Sequence, residues 1–309
     1  MTPPLQILIL SDGKPGHENQ SRGLAEAISR LTPARISVLA LERRGFLPAL
    51  LRPPALPPDF HRPDLVIAAG HRTHGALLGL SRRHDCPCVV MMKPTVPTCF
   101  FDLCLVPRHD YRSRLPGESV VLTRGALNRV PPPDERLRRG GLVLLGGPSS
   151  SHGWDTEAVV DAVRTVVDAG SDRPWRATDS RRTPEGTLDA LREACPAIAS
   201  YPHQGTGRDW MPERLAEASE VWVTEDSISM IYEALSSGAR VGLLPTPRLK
   251  AKGRVARGID QLVDDGYLTR FRDWNPMVDL PAPPEVLQES ARCARIVLER
   301  HFPDRASTE

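Results

Sequence analysis

The chain has 309 residues, of which 40% are hydrophobic and 25% charged, a composition that fits a folded protein and excludes a disordered one. Net charge is +2, but residues 1–137 carry 18 Lys/Arg against 12 Asp/Glu while the remainder carries 22 against 26. A basic front half of this size suits an anionic ligand or lipid surface and is too diffuse to point to nucleic acid. No apolar run reaches the roughly 18 residues needed to span a bilayer. The opening MTPPLQILIL reads as a first strand rather than a leader, so a cytoplasmic protein is expected.

Short apolar runs then alternate with helical patterns. LQILIL (5–10) precedes a helical stretch at 18–31, and RISVLAL (35–41) follows. DLVIAAG (64–70) leads to a helix over 73–84 and then to CVVMMK (88–93), LCLVP (103–107) and SVVLT (119–123). Pro131, Pro132 and Pro133 read as a linker, since consecutive prolines enter neither a helix interior nor a central strand.

The pattern restarts with GLVLLGG (141–147), a helix at 154–169 and the strand WRAT (175–178). A helix at 184–194, strand AIASY (197–201), a helix at 211–218 and strand EVWVT (220–224) follow. A helix at 227–237, strand RVGLLP (240–245) and a helix at 252–266 close the series, before an amphipathic segment over 285–300. Strands apolar on both faces, alternating with helices, predict α/β architecture: two Rossmann-like βα domains facing across a cleft. The expected divisions are 1–133, 134–280 and a C-terminal helix and tail, 281–309, packing back on the first domain.

The six cysteines, Cys86, Cys88, Cys99, Cys104, Cys195 and Cys293, include no Cys-x2-Cys pair, so buried reduced thiols are expected, with neither metal nor disulfide. The chemistry is expected in the loops after the strands. SDGKPGHENQS (11–21) carries Asp12 and His17, both able to move protons, beside Lys14 and Gly16. It is neither a Walker A loop nor GxGxxG, and a capping Asp with a surface His is the alternative. In the second half, GGPSSSHGWD (146–155) offers Gly147, Ser149, Ser150 and Ser151 to a diphosphate, or is a glycine-rich turn.

VTEDSISMIYEA (223–234) places Glu225, Asp226, Ser227 and Ser229 at a helix start, with Glu233 one and a half turns in, where it reaches a ribose or faces solvent. Ser180, Arg181 and Arg182 follow the strand WRAT, and an arginine there neutralises a departing pyrophosphate or is plain surface charge. His71, Arg72, His74, Lys93, His109 and Asp110 follow first-half strands, lining an acceptor side or serving structure, and the histidines lack metal-ligand spacing.

SDGKPGHENQS, LVLLGGPSSSHGW, TDSRRTP, WVTEDSISMIYEA and VPRHD…VVLTRGALNRV together resemble the mitochondrial-fission "elongated mitochondria" family, over Ser11 to about Pro245. The resemblance implies a GT-B fold and a likeness to nucleotide-sugar transferases of cell-envelope synthesis. By the same likeness, to the transferase that glycosylates a lipid-linked peptidoglycan intermediate, His17 matches the loop histidine and Glu233 the ribose carboxylate. Asp209, Trp210 and Met211 stand where the family has Asn-Pro-Tyr, a departure that bears on contacts to the base.

These readings together give a nucleotide-sugar glycosyltransferase. His17 or Asp12 acts as base and the second domain holds the donor as substrate, without a cofactor or metal. Lys14, Gly16, Arg72 and Lys93 stand on the side of a glycan or lipid-linked acceptor. A non-catalytic protein acting through protein contacts and an NAD-independent nucleotide-sugar epimerase are the alternatives. The segment ERRGFLPALLRPPALPP (42–58) either rests on an anionic membrane, at the inner face of the plasma membrane, or is a core-packed helix before a proline loop.

Overall fold

The computed structural model describes all residues except 1–2, 61, 111–116, 135, 137, 251–252 and 307–309, together with the side chains of 109, 254 and 255. The chain divides into two compact units, Met1–Arg129 with Gln288–Glu309, and Val130–Leu287.

The first unit is built on six strands, β1 (Leu5–Ser11), β2 (Ala34–Ala40), β3 (Leu65–Ala69), β4 (Cys88–Met91), β5 (Leu103–Pro107) and β6 (Val120–Thr123). They form one parallel sheet in the order β2-β1-β3-β4-β5-β6. Every residue of β3, β4 and β5 is buried, which explains their uninterrupted apolar runs. On one face Leu5, Ile7 and Ile9 pack with Leu24 and Ile28 of α1 (Pro15–Leu31), and on the other Leu8 and Leu10 pack with Leu77 and Leu80 of α3 (His74–His84).

A short helix, α2 (Phe46–Leu51), lies beside α3 and buries only Ala49. From the far end of the chain, α9 (Glu289–His301) returns to this unit and buries Cys293, Ala294, Val297 and Leu298 in the α1 face. A single turn, α10 (Pro303–Ala306), ends the described chain.

The second unit repeats the plan. Its strands are β7 (Gly140–Leu144), β8 (Trp175–Thr178), β9 (Ile198–Tyr201), β10 (Ala218–Thr224), β11 (Arg240–Leu244) and β12 (Thr269–Arg270), parallel in the order β12-β11-β10-β7-β8-β9. One face packs against α4 (Thr156–Ala169) and α5 (Thr187–Ala194), with Val159, Val163 and Leu191 around the buried Trp222. The other packs against α6 (Trp210–Glu217), α7 (Ile228–Ser237) and α8 (Arg254–Asp264), through Leu215, Ile231, Leu235 and Ile259.

The architecture is the α/β pair of Rossmann-like units of GT-B type expected from the sequence. Element boundaries move by a few residues. The strand expected at 141–147 stops at Leu144, and the amides of Gly146 and Gly147 beyond it donate to the side chains of Thr224 and Asp226 instead of a neighbouring strand. The helix expected over 252–266 runs Arg254–Asp264, with 251–252 outside the described residues. The two-residue β12 shows no alternation and went unread in the sequence. No helix among the described residues is long and apolar enough to cross a membrane.

Each sheet has one position where neighbouring strands leave in opposite directions. The first unit has β2 on one side of β1 and β3 on the other; the second has β8 and β10 flanking β7. Ligand crevices in doubly wound sheets form at the carboxyl ends of strands at such points. The residues of interest sit there in both units.

Candidate functional site

In the first unit, β1 ends at Ser11 and Asp12 begins the turn into α1. Pro15 fits the first helical turn because its fixed φ suits a helix start and no amide is needed there. The Gly13 amide donates to Ser11 Oγ at 3.2 Å, and the Lys14 amide donates to Asp12 Oδ1 at 3.2 Å. Ser11 Oγ in turn donates to Glu18 Oε2 at 3.0 Å. This local network fixes the loop, and Asp12 faces His17 from it.

His17 Nδ1 lies 3.0 Å from Asp12 Oδ2 and 3.1 Å from Oδ1. An ionised carboxylate only accepts, so Nδ1 is the donor in this pair, and in the neutral ring that tautomer leaves the lone pair on Nε2. The Asp12 carboxylate is 3% exposed and the imidazole 17%, so the acid is sheltered while the ring keeps a solvent-facing edge. Gly70, directly after β3, has φ +89°, ψ 149°, a conformation essentially restricted to glycine. A Cβ there would collide with His17 Nδ1 and Cε1. The ring is thus seated on bare backbone at the β1/β3 divergence.

Around this pair Lys14, Gly16, His71, Arg72 and Lys93 are exposed. Lys93 follows Met92, a non-glycine residue at φ +69° whose amide donates to the Leu105 carbonyl at 2.9 Å. His74 belongs to the core instead. It packs edge-on to Phe101, its Nδ1 lies 3.3 Å from Thr95 Oγ1, and burial pulls it down to about 4. The side chain of His109 lies outside the described residues.

In the second unit the glycine-rich loop after β7 meets Asp226 from the end of β10. The Gly146 amide donates to Thr224 Oγ1 at 2.7 Å and the Gly147 amide to Asp226 Oδ2 at 2.9 Å. Arg182 Nη2 meets the same Asp226 oxygen at 2.8 Å, and its Nη1 donates to the Gly147 carbonyl at 2.7 Å. Ser180 Oγ donates to the Gly146 carbonyl at 3.0 Å, and Thr183 Oγ1 to that of Leu145 at 3.0 Å. A Cβ on Gly146 would strike the Asp226 carboxylate, and one on Gly147 the Arg182 carbonyl, so only glycine fits at both positions.

Gly147, Ser180, Arg182 and Asp226 are therefore one cluster, but Asp226 already takes the amide and the guanidinium that the sequence offers to a diphosphate. Arg181 is exposed beside it. Ser149, Ser150 and Ser151 form a tight turn rather than an open cradle. Ser149 Oγ accepts from the amides of Ser151 at 3.3 Å and His152 at 3.1 Å, and Ser150 is exposed. Ser227 stands at the N-cap of α7 without a side-chain cap, Ser229 is exposed on its first turn, and Glu233 is half-buried further along.

Glu225 belongs to a different network. It is gripped by Arg248, which also bonds Asp260 Oδ1 at 2.8 Å, while Arg270 Nε stands 3.7 Å from Glu225. The hydrogen bond that Arg248 donates to Glu225 is the first of several effects holding its guanidinium above its usual range. His152 is 1% exposed, and burial lowers its proton affinity against the opposing pull of Glu225 and Asp226. Both its ring nitrogens, Asp226 Oδ1 and Thr246 Oγ1 are buried without a hydrogen-bond partner among the described residues. These unmet polar atoms gather after β7, β10 and β11, the edge where such a sheet receives a ligand.

Residues 15–301 match the family described as Mitochondrial fission ELM1. The chain belongs to that family. An uncharacterized protein of Rickettsia prowazekii (strain Madrid E) is 23% identical over 264 residues, 70% of this chain and 74% of that protein. Among solved structures, a putative UDP-N-acetylglucosamine 2-epimerase from Listeria monocytogenes aligns over 98% of each chain at 12% identity, with a TM-score of 0.56. The UDP-GlcNAc 2-epimerase of Methanocaldococcus jannaschii aligns over 96% of this chain and 99% of its own at 10% identity, with a TM-score of 0.50. At these identities the likeness is one of fold.

Sequence reasoning singled out neither Gly70 nor His152 in this ELM1-family chain. Gly70 closes an apolar run and reads as the strand's last residue; the one available signal was a glycine followed at once by His71 and Arg72.

Proposed function

We propose that this ELM1-family chain transfers a sugar from a nucleotide-sugar donor to a glycan or lipid-linked acceptor. The observation that carries the reading is the Asp12–His17 pair, seated on Gly70 at the divergence of the first sheet. His17 Nε2 takes the proton of the acceptor hydroxyl as its oxygen attacks the anomeric carbon. The anomeric C–O bond to the diphosphate breaks, and its electron pair leaves with the nucleoside diphosphate. Asp12 holds the ring in the tautomer that leaves Nε2 bare and stabilises the imidazolium that forms.

The donor belongs to the second unit in this reading. Arg182, 42% exposed on its side chain and oriented by Asp226, meets the departing diphosphate together with Arg181, Ser227, Ser229 and the first-turn amides of α7. Glu233 binds the ribose. Glu225, tied to Arg248, shapes the loop. Lys14, Arg72 and Lys93 give the acceptor side its positive field. Arg43, Arg44 and Arg52, with the exposed Leu47 and Leu51, rest on an anionic membrane at its inner face.

A thermal-shift panel of UDP, GDP, ADP, CMP and their sugar conjugates, on the native chain and Glu233→Ala, tests the donor assignment. A ligand bound only by the folded state raises the melting temperature. One nucleotide should do so, with the shift lost in the variant; no shift with any nucleotide would overturn the reading.

A second reading is nucleotide-sugar epimerisation without NAD, favoured by the names of the two solved structures described above. Incubation with one nucleotide sugar and no acceptor separates the two. An epimeric nucleotide sugar would support epimerisation, and an unchanged donor that turns over only with acceptor present would support transfer.

A further inference from the structure

A cavity of about 340 Å³ lies in the first unit, walled by Leu39, Leu41, Ala49 and Ala76 and lined also by Arg44, Arg52 and Arg72. Its size is at the small end of the ~300–1,000 Å³ that ligand pockets occupy, enough for part of one chain rather than a whole lipid. Glu42 is the only carboxylate among its lining residues, and it pairs with Arg44 at 2.9 Å. The guanidinium groups of Arg52 and Arg72 make no hydrogen bond or ion pair with a described residue. The cavity therefore joins an apolar wall to two uncompensated guanidinium groups.

Its place in the fold is informative. Ala40 is in register with Ser11, and the Leu41 amide donates to the Ser11 carbonyl at 2.8 Å, so the wall runs beside the strand end that carries Asp12. Arg72 stands two residues after Gly70, the seat of the His17 ring. The cavity thus shares the carboxyl edge of β1 and β3 with the Asp12–His17 pair. Its wall includes Ala49 of α2, the helix whose Leu47 and Leu51 are 63% and 75% exposed.

We infer that this cavity binds a phosphate-bearing single-chain amphiphile. Its apolar segment lies against Leu39, Leu41, Ala49 and Ala76, and its phosphate is held by Arg52 and Arg72. Two guanidinium groups lining one cavity without acidic partners match a phosphate dianion, which each can engage through a fork of N–H donors. A neutral glycan satisfies neither group, and inorganic phosphate leaves the apolar wall wet. That this ligand is the acceptor rests on the transfer reading above; that it binds here does not.

Calorimetric titration of the full chain, with no nucleotide sugar present, separates the contributions. The probes are decyl phosphate below its micellar concentration, decyl maltoside, inorganic phosphate, and vesicles of phosphatidylcholine with phosphatidylglycerol. Decyl phosphate should bind about tenfold more tightly than either decyl maltoside or inorganic phosphate, one charged hydrogen bond or a few methylenes being worth that factor. The exposed pair Arg52→Gln with Arg72→Gln should lose about tenfold. Ala55→Trp, at an exposed position lining the cavity, should bring decyl phosphate down to the affinity of inorganic phosphate while the melting temperature is retained.

Decyl phosphate binding no tighter than inorganic phosphate would overturn the inference, whether or not vesicles bind. So would binding that Ala55→Trp leaves intact. Because the titration contains no donor, its failure and a failure of the nucleotide panel are distinct results.

Discussion

Asp226 stands where Gly147 would otherwise meet an anion: its Oδ2 accepts the Gly147 amide at 2.9 Å, with Arg182 at 2.8 Å on the same oxygen. The side chain of Asp226 is fully buried, so the chain carries its own carboxylate at the divergence of the second sheet. In the proposed transfer reaction a donor diphosphate would meet this edge at Arg182 and the start of α7, since Asp226 already takes the Gly147 amide.

The pair should be measurable by a double-mutant cycle. Arg182→Gln leaves a buried carboxylate with the Gly147 amide and no cation, and should cost about 1–3 kcal/mol, the upper end being reduced by the exposure of the arginine. Asp226→Asn should offset much of that loss in the double variant, giving a coupling of about 1 kcal/mol or more in denaturant titrations. Strict additivity would show that the two side chains do not act together.

Gly70→Ala forces a side chain into a conformation reserved for glycine and drives its Cβ into the His17 ring. It should cost about 1–3 kcal/mol of stability. Turnover should fall as far as it does in His17→Ala. Gly258→Ala in α8, where an added Cβ meets nothing within 4 Å, should be neutral or stabilising by up to about 1 kcal/mol. Full activity in a folded Gly70→Ala protein would separate the glycine from the histidine's function.

His74 makes the fold acid-sensitive. Burial lowers it to about 4 from an unfolded value near 6.5, so the unfolded chain binds a proton first as pH falls. The stability this neutral ring contributes is fully present above about pH 6.5 and is lost progressively down to about pH 4. Between pH 7 and pH 5 the native chain should lose about 2 kcal/mol more than His74→Leu in denaturant titrations. Equal losses would assign the acid sensitivity elsewhere.

Of the six cysteines only Cys99 is exposed. Burial pushes Cys88, Cys104 and Cys293 up to about 12 and Cys86 to about 11, which keeps them as inert thiols near neutrality. A thiol-disulfide reagent at pH 8 should label one cysteine quickly, and Cys99→Ser should abolish that phase. Several fast-reacting thiols would contradict the packing of β4 and β5.

Periodicity carried most of the fold. Runs such as LVIAA and LCLVP are buried along their whole length, so strands of a covered parallel sheet leave an unmistakable apolar signature. Strand order left none, because pairing β1 with both β2 and β3 depends on crossovers that adjacent residues do not encode. In the site, Asp12 and His17 were legible as neighbours in one loop. Gly70 was not, since it comes from a strand 58 residues beyond Asp12 and contributes a missing atom rather than a reactive one. Glu225 and Asp226 look alike in sequence, yet one is locked to Arg248 and the other to Gly147. Only the twist of the chain out of β10 tells them apart.

The decisive measurement is His17→Ala against the native chain, with donor binding and nucleoside diphosphate release followed on the same preparations. The Asp12–His17 pair acting as base requires turnover to fall by about 10²–10⁴ with donor affinity unchanged. An equal loss of binding and turnover, or release that survives without the imidazole, would contradict that role.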